Sequence, residues 1–355
     1  MSMKKITIQD IARHSKVSAG TVDRVIHNRG KVSADKKKKI EDAVKELNFN
    51  PNLLARALVM RNQFNVCSLF PQSFSENEYW YLPNYGAEQA AFGLKDFGFF
   101  LEPYYYSLFD ESSFTEQANR IIELKPDGVI LAPLFRKESI LFVQKLEENH
   151  IPYVFIDGYI PDQKHLSYIG PDAERSGFVV AKLMNSMLSP GDPILIVNIV
   201  KGIENSANLS LIEQGFRKYF AENWSESEQT ISILVIRSTD ETIIFQELTK
   251  FYIKNPNIKG VFVTASKAHL IARFHQNHDL NIRLIGFDLV KENIVQLKEG
   301  RIDWIISQSP IQQGAHAVKT MFDLFVHKTE PKKMQYVPLD IIIRENVDFY
   351  IDFSN

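Results

Sequence analysis

The chain has 355 residues, 45% of them apolar, and a formal charge of −2, which is room for two or three domains with sizeable cores. Its single cysteine, Cys67, excludes an intrachain disulfide framework and fits a reducing compartment. No apolar run reaches the roughly 18 residues of a membrane span, and Met1-Ser2-Met3-Lys4-Lys5 leads into a polar helix with no secretion signal, so a cytoplasmic protein is expected.

The near-neutral total hides an asymmetry. Residues 1–62 hold 14 Lys and Arg against 6 Asp and Glu, net +8, which leaves 27 against 37, net −10, for residues 63–355. A basic head neutralises phosphates while an acidic body is repelled by them; the bland alternative for the run Lys36–Lys39 is a solvated surface.

Thr7 to Ser15 predicts a first short helix, with Ile8, Ile11 and Ala12 on one face and Thr7 and Asp10 as its start signal. After Lys16-Val17-Ser18 a second helix is predicted, with Ser18 as N-cap and Val22, Val25 and Ile26 as its apolar face. Two short helices around a three-residue turn make a helix-turn-helix. Arg24 is left on the outer face beside the small Ala19 and Gly20. A third helix is expected from Ser33, burying Ile40, Ala43, Val44 and Leu47. Asn50-Pro51-Asn52 then opens a short helix through Leu58, with Pro51 suited to the first helical position.

Three ordered motifs carry a resemblance: Thr7-Ile8-Gln9-Asp10-Ile11-Ala12, Val17-Ser18-x-x-Thr21-Val22-x-Arg24-Val25, and Asn50-Pro51-Asn52-x-x-Ala55-Arg56-x-Leu58. The head and hinge resemble the LacI/GalR family of bacterial transcription regulators. The resemblance implies a homodimer on a near-palindromic double-stranded operator, with higher oligomers open. The second helix would lie in the major groove, and hinge residues Asn52, Ala55 and Leu58 would meet the minor groove, with Leu58 as the apolar wedge. Ala19, Gly20 and Arg24 occupy the family's base-reading positions. Arg24 either bonds guanine bidentately or holds a phosphate. Asp23, where the family more often has Ser, either orients Arg24 or accepts from cytosine; His27 and Asn28 are further candidates. Thr7, Ser18, Thr21 and Asn28 are placed to hold phosphates.

Beyond residue 63, strand-like runs alternate with amphipathic stretches such as Glu88–Phe97, Ser139–Asn149 and Arg175–Leu188. This order predicts parallel sheets covered by helices on both faces. The expected fold is therefore an all-α head (1–50), a hinge (51–62) and an α/β body (63–355). The resemblance implies a two-lobed, periplasmic-binding-protein-like body with three crossovers, drawn here as lobe one, 63–165 and 292–328, and lobe two, 166–291 and 329–355.

Ligands of such sheets bind beyond the carboxyl ends of the strands. That rule selects Phe74, Tyr79 and Trp80 after the first strand, Asp157 after the fourth, then Asp172, Asn205, Asn208, Asp288 and Gln308. Carboxylates and amides facing aromatic planes suit a sugar-like ligand; for each aromatic the alternative is packing. Asp288 and Gln308 match effector positions of the family, whereas Ala265-Ser266 stands where an Asn-Asp pair is common and Ser210 where an Arg is common. The reading is a ligand-switched regulator, expected to be a repressor; the alternatives are a solute-binding protein or a response to a non-sugar metabolite. No nucleophile elbow, phosphate loop or metal-ligand spacing appears, so neither an enzyme nor a cofactor or metal site is expected. His275-Gln276-Asn277-His278 comes nearest and reads as two solvated histidines.

Overall fold

The computed structural model describes residues 8–26, 32–47, 63–75, 78–200, 206–223 and 230–351. The chain divides into two compact units, Met1–Arg61 and Asn62–Asn355.

In the first unit, α1 (Ile8–Ser15), α2 (Ala19–Ile26) and α3 (Ala34–Glu46) close over Ile11, Val22, Ile40 and Ala43. Val17, Val25, Val44 and Leu47 are partly covered around this small core. The α1–α2 turn is made by Lys16 in the left-handed region, φ 53°, while Val17 N–H donates to Ala12 O. His14 on α1 reaches Glu46 on α3, Nε2 to Oε2 2.7 Å. Ser33 stands at the N-cap of α3, but its hydroxyl makes no capping bond; its carbonyl accepts from Lys37 N–H instead. The expected hinge, with Asn52, Ala55 and Leu58, lies outside the described residues, as do Thr7, His27 and Asn28.

The second unit contains two six-stranded sheets of the same winding. The first holds β1 (Phe64–Pro71), β2 (Phe99–Tyr106), β3 (Gly128–Leu131), β4 (Tyr153–Ile156), β5 (Ser167–Gly170) and β11 (Met334–Tyr336), in the order β11-β5-β4-β3-β1-β2 and parallel throughout. The second holds β6 (Ile194–Ile199), β7 (Ile231–Ile236), β8 (Gly260–Val263), β9 (Arg283–Phe287), β10 (Trp304–Ser307) and β12 (Asp340–Ile342), ordered β12-β10-β9-β8-β6-β7, with the edge strand β12 antiparallel.

Helices α4 (Tyr81–Phe92), α5 (Glu111–Leu124), α6 (Arg136–Glu148) and α12 (Pro310–Phe322) accompany the first sheet. With the second go α7 (Ala173–Met187), α8 (Ser206–Asn223), α9 (Glu241–Lys254), α10 (Ala268–Asn277), α11 (Lys291–Lys298) and the short α13 (Asp348–Ile351). Alternation along β6 explains why its apolar run is continuous. Leu195 and Val197 pack with Leu248, Ile271 and Leu297 on one face, Ile194 and Ile196 with Met184 and Phe216 on the other. A strand buried on both faces has no polar side to expose.

The lobe boundaries expected from sequence need correction. Ser167–Gly170 hydrogen-bonds to β4, so the first crossover falls at 171–172, not at 165. Trp304–Ser307 pairs with β9, so residues 292–307 belong to the second lobe and the chain returns at 308–309. Met334–Tyr336 pairs with β5, which keeps the chain in the first lobe until a third crossover at 337–339. Lobe membership is set by strand pairing, and these strands are only three or four residues long. The helix expected at Glu88–Phe97 in fact begins at Tyr81 and ends at Phe92, followed by a 3-10 turn at Lys95–Phe97.

One close helix contact in each lobe depends on glycine. A Cβ at Gly86 of α4 would overlap the Ile311 carbonyl, and one at Gly314 of α12 would overlap that of Pro83. Gly177 of α7 and Gly215 of α8 make the equivalent approach, to the carbonyls of Ile212 and Glu174.

Candidate functional site

On α2, Ser18, Ala19, Gly20 and Arg24 are exposed, Thr21 and Asp23 half-buried and Val22 buried. The helix starts on Ser18, whose carbonyl accepts from Thr21 N–H (2.9 Å) and Val22 N–H (3.0 Å), while its hydroxyl pairs with that of Thr21 at 2.9 Å. Gly20 and Arg24 are one helical turn apart and share a face. A Cβ at Gly20 would meet nothing within 4 Å. The surface is therefore one long cationic side chain beside a small, open patch.

In the body, a cavity of about 560 Å³ opens between the two sheets at the carboxyl ends of their strands. The first lobe supplies Gln72, Phe74, Ser75, Glu78, Tyr79 and Trp80 after β1 and Ser107, Leu108 and Phe109 after β2; the second supplies Ile199, Thr239 and the turns that open α10 and α11. Phe74 and Phe109 stand on its first-lobe side, 81% and 62% exposed. Trp80 also lines it, yet is itself buried, edge-on to Tyr79 at 5.3 Å.

A hydrogen-bond chain runs behind this cavity from lobe to lobe. Tyr79 OH donates to Asp157 Oδ1 at 2.5 Å and receives Gln313 Nε2 at 3.4 Å. Gln313 Nε2 also donates to Gln308 O at 2.9 Å, and Gln308 Nε2 to Asp288 Oδ1 at 3.2 Å. Ser266 Oγ donates to Asp288 Oδ2 at 2.6 Å. From the second lobe, Asn208 Nδ2 reaches the carbonyl of Asp157 at 3.2 Å. Asp157 and Asp288 each follow a strand directly and turn the chain in the left-handed region, φ 64° and 70°. Gln313 Oε1 is buried without a partner among the described residues.

Burial dominates the electrostatics. Asp288 is 6% exposed, and desolvation pushes its carboxyl up to about 7; the negative charge of Asp157 pushes the same way, against the bonds from Ser266 and Gln308. Desolvation also raises Asp157, opposed by the Tyr79 hydroxyl, and raises Tyr79 well above its usual range. His269, at the cavity wall, is pushed down by burial and stays neutral near pH 7.

Among known proteins, a family model of bacterial regulatory proteins, lacI family, matches residues 7–52, and one of the periplasmic binding protein domain matches residues 68–329. The chain belongs to the LacI family. It is 25% identical to the ribose operon repressor of Lactococcus lactis subsp. lactis over 351 residues, 96% of this chain and 98% of that protein. Catabolite control protein A of Staphylococcus aureus is 30% identical over 185 residues, 50% and 52% of the two chains. A solved structure of a Bacteroides fragilis protein assigned as a LacI transcriptional regulator has a TM-score of 0.75 and 28% identity, covering 81% of this chain and 100% of that one.

In this LacI-family regulator, the sequence-selected positions divide into three groups. Phe74, Tyr79 and Trp80 line the cavity. Asp157, Asn208, Asp288 and Gln308 join in the hydrogen-bond chain behind it. Asp172 is elsewhere: its carboxylate accepts from Arg175 N–H at 3.0 Å as the N-cap of α7, in a separate depression with Lys218 and Glu222. Asn205 lies outside the described residues. Ser210, noted as a family departure, is exposed. Sequence reasoning passed over Phe109, Thr239, Lys267, His269 and Glu292, all at the cavity. The strand-end rule, applied also to β2, β7 and β8, points to the first four. No local signal marks Gln313, which reaches Tyr79 only through the packing of α12 on α4. The two histidines of 275–278 also differ from expectation. His275 is buried against Tyr252 OH at 2.7 Å, and only His278 is exposed. Among the described residues no cluster of metal-ligand type and no helix long and apolar enough to cross a membrane is present.

Proposed function

We propose that this DNA-binding regulator represses transcription as a cytoplasmic homodimer and that a sugar entering the interlobe cavity changes its operator affinity. The observation that carries the reading is the polar chain from Asp288 through Gln308, Gln313 and Tyr79 to Asp157, which links both lobes and a crossover behind the cavity. A ligand that replaces some of these bonds with its own hydroxyls alters the balance between lobe arrangements. It shifts that balance only by its differential affinity for them. The volume, about 560 Å³, falls in the range of small-molecule sites, and repression with a sugar signal accords with the name of the Lactococcus relative.

On the DNA side, Arg24 is the proposed base reader, Ser18 and Thr21 phosphate contacts, and Ala19 and Gly20 the small residues that let base edges approach. The hinge residues Asn52, Ala55 and Leu58 are assigned to the minor groove by family resemblance. The decisive experiment selects operators from random DNA with the full chain, then repeats binding with a sugar panel. Enrichment of a two-fold symmetric site whose affinity changes with one sugar is expected. Failure to enrich any sequence overturns the operator reading, and an enriched site indifferent to every sugar overturns the effector reading.

A further inference from the structure

The polar groups around the cavity are lopsided. Among the described residues, Glu78 and Glu292 line it directly, Asp157 stands behind Tyr79 and Asp288 behind Ser266, whereas Lys267 is its one lining cation. The neutral His269 adds an acceptor, and its tautomer follows from its neighbours. Asn293 Nδ2 donates to the carbonyls of Phe287 (3.0 Å) and Asp288 (3.1 Å), which fixes the amide orientation. Its Oδ1 accepts from the backbone N–H of His269 at 2.9 Å and meets the ring Nδ1 at 3.0 Å. An amide oxygen only accepts, so Nδ1 carries the proton and Nε2 is a bare lone pair.

The same contact disposes of a rival. The first turn of α10 borders the cavity, and a helix N-terminus is a natural seat for a phosphate. Here the backbone N–H of His269 in that turn is already taken by Asn293, and the first turn of α11 carries Glu292. A phosphate ester would bring acceptors and negative charge to a wall that already has both.

We infer that the cavity takes an uncharged polyhydroxyl ligand, a free sugar or cyclitol, and rejects its phosphate ester, with His269 Nε2 accepting from a ligand hydroxyl. This rests on the sugar-sensing reading above and narrows it to one chemical class. Hydroxyls donate to carboxylates and to the bare imidazole nitrogen; a phosphate dianion offers no proton there.

The test is calorimetric titration of the full chain, near neutral pH, with matched pairs: D-ribose and D-ribose 5-phosphate, D-glucose and D-glucose 6-phosphate, myo-inositol and myo-inositol 1-phosphate. For the pair that binds, the free compound should bind at least about tenfold more tightly than its ester. Glu292→Gln should narrow that ratio. His269→Leu should weaken the free compound by about tenfold, and His269→Gln, which restores an acceptor, should recover part of the loss. An ester that binds as tightly as its free partner overturns this inference and leaves sugar sensing intact. Silence from every compound overturns the sugar reading itself. Wild-type affinity in His269→Leu removes the role given to Nε2; if that variant does not fold, the Glu292→Gln ratio decides.

Discussion

On the function proposed above, Arg24 and Asp288 are the residues whose substitution tests its two halves. Arg24 is the long cation on an otherwise small stretch of α2. Arg24→Ala should cost about 1–3 kcal/mol on the selected operator and much less on random DNA. Anisotropy titrations on both sequences check this; an equal loss on the two makes Arg24 a phosphate contact. Asp288 holds its proton up to about 7 because burial disfavours its charge. A carboxyl raised above its unfolded value stabilises the fold at low pH, and that contribution is lost as pH rises through about 7. At about 1.36 kcal/mol per unit, the effect reaches up to roughly 4 kcal/mol. His165 and His275, which burial pushes down to about 4, act in the opposite sense, gaining stability as pH rises. The wild-type profile therefore mixes signs, and Asp288→Asn isolates one of them. Asparagine mimics the protonated acid, so the variant should be more stable than wild type in mild alkali and lose that advantage in mild acid. Urea unfolding across this range measures the difference; a constant difference would mean that Asp288 does not titrate there.

At the scale of elements, the pairing of α4 with α12 decides whether the cavity is built correctly. α4 follows the loop that carries Tyr79, and α12 carries Gln313 next to the close-packed Gly314. A methyl group at Gly314 collides with the Pro83 carbonyl, which is backbone and cannot rotate away. Gly314→Ala should lower stability by about 1–3 kcal/mol, the usual range for overpacking, and loosen the Gln313–Tyr79 contact. Gly93 at the end of α4 is the control. It has φ −67°, and a Cβ there would lie 3.6 Å from its nearest neighbour, so Gly93→Ala should be close to neutral. Chemical denaturation of the two variants compares them directly; equal effects would rule out the helix contact as the cause.

For the whole molecule, charge separation between the head and the body dictates how it meets DNA. With net +8 in residues 1–62 and −10 in the remainder, binding is expected to draw on phosphate neutralisation by the head. Affinity should fall by about a thousandfold or more between low and near-physiological salt if some six or more phosphates are neutralised. A filter-binding or anisotropy series over salt concentration reads that slope; a flat response would mean that the basic head does not carry the binding.

How far the sequence reaches depends on the range of the interaction involved. Local patterns sufficed for the three-helix head, because each helix marks its own buried face at helical spacing: Ile11 and Ala12 on the first, Val22 and Val25 on the second, Ile40, Ala43, Val44 and Leu47 on the third. They sufficed too for parallel sheets, because strand-like runs alternate with amphipathic stretches along the body, and a strand covered on both faces is mostly apolar, as residues 194–197 of β6 are. Loops at strand ends led to Tyr79, Asp157 and Asp288, since the winding of such sheets fixes where ligands lie. Tertiary structure alone decided the rest. The lobes were misdrawn because β5, β10 and β11 are short, and their membership depends on which distant strand each hydrogen-bonds to. Asp172 looked like a ligand residue and caps α7 instead, for a carboxylate at a strand end serves either purpose. The tautomer of His269 and the burial of Gln313 depend on Asn293 and Tyr79, 24 and 234 residues away along the chain. Contacts at such separations leave no period or spacing in a single sequence, and only the folded chain brings them together.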